Sequence, residues 1–354
     1  MRSTPLGVST PRGVHTTASS VPPQSMRGRP RFSVVIPTWN GAALLPGCLS
    51  ALARQRCRTF ETIVVDDGST DGSVQLLERD YPWVQVVARP RNGGFVRAVN
   101  DGILASRGEI ICLLNNDTEP DAGWLEALER AAQAYPHVAF FACKLLLWDR
   151  RTVLHSAGDF YGLDGVPGSR GVWQEDRGQY DACLEVFAAC GAAAAFRRSL
   201  LDDIGLFDDD LVQYCEDVDL AWRAALRGHR GLFVPDAIVY HRLSATGGGP
   251  LASYYCGRNF IAVLAKDVPA PLLRRHWRAI VGAQLRITIE ALQHVRSPAA
   301  RARLRGQLAG LVLLPRMLGK RRRVQAGRRV SVEELEALLR RTGEDGPQRR
   351  CSSF

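Results

Sequence analysis

The amino-acid sequence predicts an α/β fold: a mostly parallel sheet flanked by helices on both sides, followed by a basic helical C-terminal extension. Three observations carry this. The strand-like runs are continuous stretches of Val, Ile and Leu rather than alternating patterns, which marks strands buried on both faces. They alternate with segments whose apolar residues recur at helical spacing. Several of the runs end abruptly in polar residues, as strands do where they leave such a sheet.

Ordered structure is expected from "RFSVVIPTWN", where Phe32 to Ile36 reads as a buried strand. "AALLPGCLSALARQ" places Leu44, Cys48 and Leu52 at helical spacing, and Pro46 sets the helix start near Ala43. "FETIVVDDGST" is a second strand ending in a turn, and "VQVVARP" a third. "GGFVRAVNDGILAS" is helical, with Val96, Val99 and Ile103 on one side. "EIICLLNNDTEP" is a further strand, and "DAGWLEALERAAQAY" a helix with Asp121 as its N-cap. "VAFFACKLLLW" is a strand. Residues 149–181 are loop-like and Gly-rich, with room for irregular hairpins. "AACGAAAAFRRSLLDDIG" mixes small residues with a helix, "EDVDLAWRAALRGH" is a helix ending at Gly228, and "GLFVPDAIVYH" is the last strand. Beyond Pro250 the chain reads as helical and basic, with "SVEELEALL" a separate amphipathic helix. The expected divisions are a disordered segment at 1–30, an α/β domain at 31–262 and a helical extension at 263–354.

The 354 residues are 46% hydrophobic and 23% charged, enough for a sizeable core, with a net charge of +10 that points to an anionic partner. The charge is uneven. Between Leu272 and Arg329 fifteen Lys and Arg side chains face the single acid Glu290, about +14, so the remainder is about −4. The nine cysteines form no CxxC pair, and reduced cytosolic thiols are the expected state. No leader-like apolar segment stands near Met1, and no apolar run approaches the roughly 18 residues needed to span a bilayer. The expected location is cytoplasmic, with a peripheral position at the inner face of the cell membrane left open.

In sheets of this kind ligands bind beyond the carboxyl ends of the strands. Asp66 and Asp67 are adjacent like charges at one such end. Asp66, Ser69 and Asp71 can serve as turn and cap residues, which leaves Asp67 able to accept hydrogen bonds from a nucleobase or ribose. Asp117 closes "LLNND" at another strand end, where an oxygen ligand suits Mg²⁺ or Mn²⁺; alone it would read as a turn residue. Glu216, Asp217 and Asp219 open a helix, where the dipole favours carboxylates and keeps a general base ionised; ordinary helix-start chemistry accounts for one of them. His241 ends the last strand. Gly93 and Gly94 could turn backbone N–H groups towards phosphates. No GxxxxGK[ST] occurs, and no GxGxxG follows the first strand.

The ordered set "VVIPTWNG", "VVDDGSTDGS", "NGGFVRAVNDG", "LLNNDTEP", "CGAAAAFRR", "IGLFDDD", "EDVDLAWR" and "VYH", with "YYCGRNF" at its end, resembles family-2 glycosyltransferases of the GT-A fold (Rossmann-like, nucleotide-diphospho-sugar), and within them the rhamnosyltransferase and galactofuranosyltransferase-like branch. The resemblance covers about Phe32 to Phe260. It implies that Asp67 holds the nucleotide base, with Pro37 and Asn40 beside it and Gly93, Gly94, Asn100, Asn115 and Asn116 on the donor side. It implies that Asp117 and His241 hold Mn²⁺ or Mg²⁺, although Asn115 and Asn116 stand where the family's DXD motif has its earlier acid. Asp217 is implied as the catalytic base, and Gly191, Ala192, Ala193 and Glu216 as the acceptor side. The implied reaction is inverting transfer of a sugar, rhamnose being one option, from a dTDP- or UDP-sugar to a glycan or lipid-linked acceptor in cell-surface polysaccharide synthesis.

Two rival functions are a nucleotidyltransferase that makes the sugar-nucleotide and a non-catalytic nucleotide- or nucleic-acid-binding protein. The first would want a Gly-rich, Lys/Arg-bearing signature after the first strand, and "PTWNGAA" lacks it. Nucleic acid is not an expected partner, because the body is net acidic and its aromatics are not interleaved with Lys or Arg. Residues 272–329 read either as a segment lying on an anionic membrane surface or as a basic cap on the domain.

Overall fold

The structure is a computed structural model that describes residues 29–243 and 248–343; the expected disordered segment at 1–30 lies almost entirely outside them. Twelve strands and ten helices follow one another among the described residues. The first half runs β1 (Phe32–Thr38), α1 (Leu45–Ala53), β2 (Phe60–Asp66), α2 (Ser73–Asp80), β3 (Gln85–Ala88), α3 (Phe95–Ala105), β4 (Ile110–Leu114), β5 (Thr118–Pro120), α4 (Trp124–Ala134) and β6 (Phe140–Leu147). Short strands β7 (Leu154–Ser156), β8 (Asp159–Tyr161), β9 (Pro167–Ser169) and β10 (Glu185–Val186) lead to β11 (Ala193–Arg197), α5 (Arg198–Ile204), α6 (Glu216–Leu226) and β12 (Gly231–His241). The chain ends in α7 (Gly249–Lys266), α8 (Ala270–Gln293), α9 (Pro298–Ala326) and α10 (Val332–Thr342).

The central sheet has the order β10-β12-β6-β11-β4-β1-β2-β3. β1 pairs in parallel with β2 and β4, and β12 with β6, while β11 runs antiparallel between β4 and β6. Both faces are dry. Val34 and Ile36 pack towards α1 and α4 with Leu49, Leu52 and Trp124, and Val35 packs the other way, towards Val96, Val99 and Ile103 of α3. This is the period-two alternation of strands whose two faces are both core.

Three local expectations are revised. α4 starts at Trp124, and Asp121 is not its N-cap: the Asp121 carboxylate accepts the Gly123 N–H at 2.9 Å and closes a turn just ahead of the helix. The alanine run at 193–195 is a central strand, because its small side chains fit between two neighbours on a doubly covered sheet, and burial there outweighs low strand propensity. Seven cysteines are free thiols as expected, but Cys183 is disulfide-bonded.

α7 runs through residue 262 without a break, and α9 lies directly along it. A methyl group on Gly306 would fall 2.0 Å from the Tyr254 carbonyl oxygen, and one on Gly310 would fall 2.8 Å from that of Arg258, so the helices meet backbone to backbone. Salt bridges also tie α9 to the loop between α5 and α6: Lys320 reaches Asp208 and Asp210, and Arg316 reaches Asp210 at 2.5 Å. No helix among the described residues is long and apolar enough to cross a membrane.

Candidate active site

The carboxyl ends of β1, β2 and β4 and the end of β12 open on one rim of the sheet. At the β2 end the two adjacent acids have separate tasks. Asp66 accepts the Ser69 N–H at 2.9 Å and closes the turn. Asp67, only 3% exposed, accepts the N–H groups of Gly93 and Gly94 at 2.9 Å each and is ion-paired with Arg89. Three donors thus balance a buried carboxylate. Asn40 sits in left-handed backbone (φ 51°) and ties its loop to the same turn: its N–H donates to Ser69 Oγ at 2.8 Å, and its Oδ1 accepts the Thr70 N–H at 2.9 Å. Pro37 lies one step inside the sheet, opposite Val65.

This arrangement alters two donor-side expectations. The N–H groups of Gly93 and Gly94 are turned to Asp67, not presented to a phosphate. Asn100 is a loop clamp rather than a ligand: its amide donates to the Phe207 carbonyl and Asp209 at 2.9 Å each and accepts the Phe207 N–H at 3.1 Å. Its hydrogen-bonding capacity is spent on the "LFDDD" turn.

At the β4 end Asn116 is buried and donates to Thr38 Oγ1 at 2.7 Å. Asn115 Oδ1 is buried without a hydrogen-bond partner among the described residues. Asp117 Oδ1 lies 3.3 Å from His241 Nε2, and both residues are buried. The short strand β5 causes this meeting, because Thr118 pairs with His241 across the ladder. Behind His241, its Nδ1 lies 3.0 Å from Nδ1 of His155, whose pKa is pulled down to about 3, first by burial and then by His241. His155 is therefore neutral at pH 7, and the contact orients the His241 ring so that Nε2 faces Asp117. One carboxylate oxygen and one imidazole nitrogen fit a borderline cation such as Mn²⁺ better than Mg²⁺, and as a two-ligand anchor they leave the remaining positions to oxygen donors from a substrate.

The base side is built from α6 and the start of β11. Asp217, in the first turn of α6, accepts the Gly191 N–H at 3.0 Å and its neighbour Val218 N–H at 2.8 Å. Ala192, next to Gly191, accepts the Asn115 N–H at 2.9 Å, so two backbone hydrogen bonds connect Asp217 to the strand end bearing Asp117. Burial raises the Asp217 pKa, despite the hydrogen bonds from Gly191 and Val218 that oppose the shift. Glu216 is buried, with Oε2 unpartnered among the described residues; burial and the Asp217 charge push its pKa well up. Asp159 on β8 is a third acid here, raised to about 7 by burial and by Asp217. Ligand atoms of Asp159, Cys190 and Asp217 lie within 4.8 Å of one another. Burial also drives the Cys190 pKa well up.

The loop entering α6 carries unusual backbone: Val212, Tyr214 and Cys215 all have φ between 62° and 65°. For a β-branched residue such as Val212 this conformation is strained. Asn259 of α7, fully buried, holds it by donating to the carbonyls of Leu211, Gln213 and Tyr214 at 2.9, 2.9 and 2.7 Å. Arg258 adds the Asp210 carbonyl at 2.6 Å. These residues are the "RN" of "YYCGRNF".

Sequence reasoning brought Asp67, Asp117, Asp217 and His241 to one rim. It missed His155, Asp159, Arg89 and Asn259. The first two lie in the Gly-rich stretch read as loop, where no periodicity marks them; Asn259 lay inside a quoted motif whose structural task was not apparent.

Residues 33–205 match the family described as Glycosyl transferase family 2. The chain belongs to glycosyl transferase family 2. As a family 2 glycosyltransferase it has the GT-A fold. Its relatives include an uncharacterised protein of Sinorhizobium fredii, 30% identical over 63% of this chain; the match spans only 26% of that longer protein. An N-acetylglucosaminyl-diphospho-decaprenol L-rhamnosyltransferase of Mycobacterium tuberculosis is 28% identical over 77% of this chain and 95% of its own length. Among solved structures, the mannosyltransferase PcManGT from Pyrobaculum calidifontis, in complex with GDP-Man and Mn²⁺, superposes with a TM-score of 0.53 at 20% identity, over 89% of this chain and 87% of that one. S. aureus TarS superposes with a TM-score of 0.50 at 21% identity, over 72% of this chain and 43% of that one. Both show likeness of fold.

Proposed function

We propose that this glycosyltransferase inverts the anomeric centre of a nucleoside-diphosphate sugar in one displacement, with Asp217 as general base. The observation that carries the reading is the two-bond backbone link from Asp217 through Gly191 and Ala192 to Asn115, two residues from Asp117. It supports reading Asp217 as proton acceptor and Asp117 as phosphate-side anchor of one site.

In the reaction, the acceptor hydroxyl gives its proton to the Asp217 carboxylate as its oxygen bonds to the anomeric carbon. The bond from that carbon to the diphosphate oxygen breaks, and the electron pair leaves with the nucleoside diphosphate. A base with a raised pKa suits this transfer, because it holds the accepted proton more firmly. One carboxylate suffices, since no covalent sugar–enzyme intermediate forms. Asp117 and His241 would hold a divalent cation, which when bound neutralises charge on the departing diphosphate. Asp67, Asn40 and Pro37 shape the donor end. Gly191, Ala192, Ala193 and Glu216 shape the acceptor end, where the unpartnered Glu216 oxygen would accept a hydrogen bond from an acceptor hydroxyl.

The mycobacterial relative supports a rhamnosyl donor and a lipid-linked, cell-surface acceptor as the first pair to try. In this reading residues 31–262 carry the chemistry, and the extension that begins at residue 263 is braced against it as far as the described residues run, to residue 343. A screen of dTDP-, UDP- and GDP-sugars for nucleoside diphosphate release, followed by NMR of the product's anomeric configuration, tests the proposal; retention of configuration would end it. Calorimetry with the nucleoside diphosphate, with and without Mn²⁺, tests the anchor, and His241→Ala is expected to weaken the metal-dependent binding about 10–100-fold.

A further inference from the structure

The α8–α9 hairpin is apolar on a side it does not bury. α8 turns Leu272, Ala283 and Ala291 inward. On its outer side Trp277, Val281, Leu285, Ile289 and Leu292 are spaced four, four, four and three residues apart, which keeps them on one face, and each is 46–56% exposed. α9 adds exposed Leu308, Leu311, Val312 and Leu318, with Val312 at 83%. Gln307 donates to Thr288 Oγ1 at 2.9 Å, so Leu308 and Ile289, the next residues along, bring the two apolar rows together. A patch of this length on a soluble surface marks a docking site.

Its charge selects the occupant. Arg275, Arg286, Arg316 and Lys320 are paired with acids of the body or of α10. Arg274, Arg278, Arg296, Arg305, Arg322 and Arg323 have no carboxylate partner among the described residues, and Glu290 is the only acid on either helix. Arg278 also lies over the Trp277 ring, 5.5 Å from its centre, joining cation and apolar anchor in one contact. A second copy docking face to face would set these cations against their own kind. An anionic bilayer accepts both features: side chains enter the headgroup boundary while guanidinium groups meet lipid phosphates. Trp at such a boundary is a favoured anchor.

We infer that the α8–α9 hairpin is a peripheral docking face for the surface of an anionic bilayer, lying on it and not crossing it. The inference needs no particular sugar, metal or base, so it stands or falls apart from the glycosyl-transfer mechanism.

The test is flotation of the full chain with vesicles of phosphatidylcholine alone and of phosphatidylcholine with added phosphatidylglycerol, at low and high salt. Binding is expected to the anionic vesicles and to fall with salt. Leu285→Glu with Ile289→Glu is expected to abolish it. Arg274→Gln with Arg278→Gln is expected to lower partitioning about 30-fold, since each cation near such a surface contributes on the order of 1 kcal/mol. All four positions are exposed, and unchanged thermal melts of both variants confirm that folding is intact. Three results would overturn the inference: no flotation with anionic vesicles, equal flotation with neutral ones, or flotation that the Leu285/Ile289 pair leaves unchanged. Sedimentation velocity covers the remaining case, because a dimer that the same pair dissolves, in a protein that ignores vesicles, would assign the face to self-association.

Discussion

The two halves of the rim are built on opposite principles. At the Asp67 end every oxygen of the buried acid has a protein donor, and the loop of Gly93 and Gly94 is fastened to it. At the Asp217 end three acids crowd together, one carries an unpartnered oxygen, and their pKa values are driven up. The first half answers the charge of Asp67 without a ligand, although Oδ1 of the neighbouring Asp66 is buried with no hydrogen-bond partner among the described residues. The second holds unsettled electrostatics that a polar ligand can relieve, the condition in which perturbed carboxylates serve proton transfer. A carboxylate at a strand end is therefore not a site by position alone; what distinguishes the two is how completely the protein already answers its charge.

The sharpest way to break this contrast is Asp217→Asn. Turnover is expected to fall about 10²–10⁴-fold with donor binding near normal, measured as nucleoside diphosphate release alongside calorimetry. Full activity in that variant would remove Asp217 from the base role and leave the crowded acids as a structural curiosity.

Next in size is Asn259→Ala. It takes their donor from the Gln213 and Tyr214 carbonyls beside a strained loop, while the Leu211 carbonyl keeps the Gln213 N–H, at about 1–3 kcal/mol for each unsatisfied group, and lets the start of α6 drift. The melting temperature should fall, and kcat should drop on the order of 10²-fold, since a displacement of about 1 Å at a reacting group suffices for that. A variant that melts early but keeps kcat in the surviving folded fraction would reduce Asn259 to a stability residue.

Asp67→Ala tests the scaffold half. Freeing Gly93 and Gly94 is expected to cost about 1.5–3 kcal/mol of stability and to raise the donor KM while leaving kcat within a few-fold. A loss confined to kcat would mean that the two halves are not separable.

Asp159→Asn is the change that leaves the reaction itself least affected, and it acts through pH. The folded pKa of Asp159, about 7, lies above its ordinary value of 3.8. The folded form thus holds this proton more tightly, and the stability linked to it is complete below about pH 4 and is lost as pH rises through 7. The asparagine variant should match the parent at acid pH and gain up to about 4 kcal/mol above pH 7, read from melts across the range.

The doubly covered sheet was legible because Phe32–Ile36, Ile110–Leu114 and their counterparts are unbroken apolar runs, a pattern local enough to see in one dimension. The alanine strand was hidden because Ala193–Ala195 owe their conformation to β4 and β6, which lie far away in sequence. The same logic divides the rim. Asp117 and Asp217 stand out because each follows an apolar run or opens a helix. Asp159 and His155 depend on contacts across tens of residues, and nothing in their own neighbourhood distinguishes them. The tasks of Gly93, Gly94 and Asn100 were misread for a related reason: a motif shows which groups are available, but only the folded chain shows which are already engaged.

The closeness of Gly306 and Gly310 to α7 reaches beyond packing. Because Asn259 projects from that same helix into the turn ahead of Asp217, whatever presses on the C-terminal hairpin bears on the Asp217 carboxylate through one rigid strut. A gene trimmed at the apparent end of the motif-bearing region would sever α7 itself, and the shortened enzyme would be expected to lose its reactive geometry before losing its sheet.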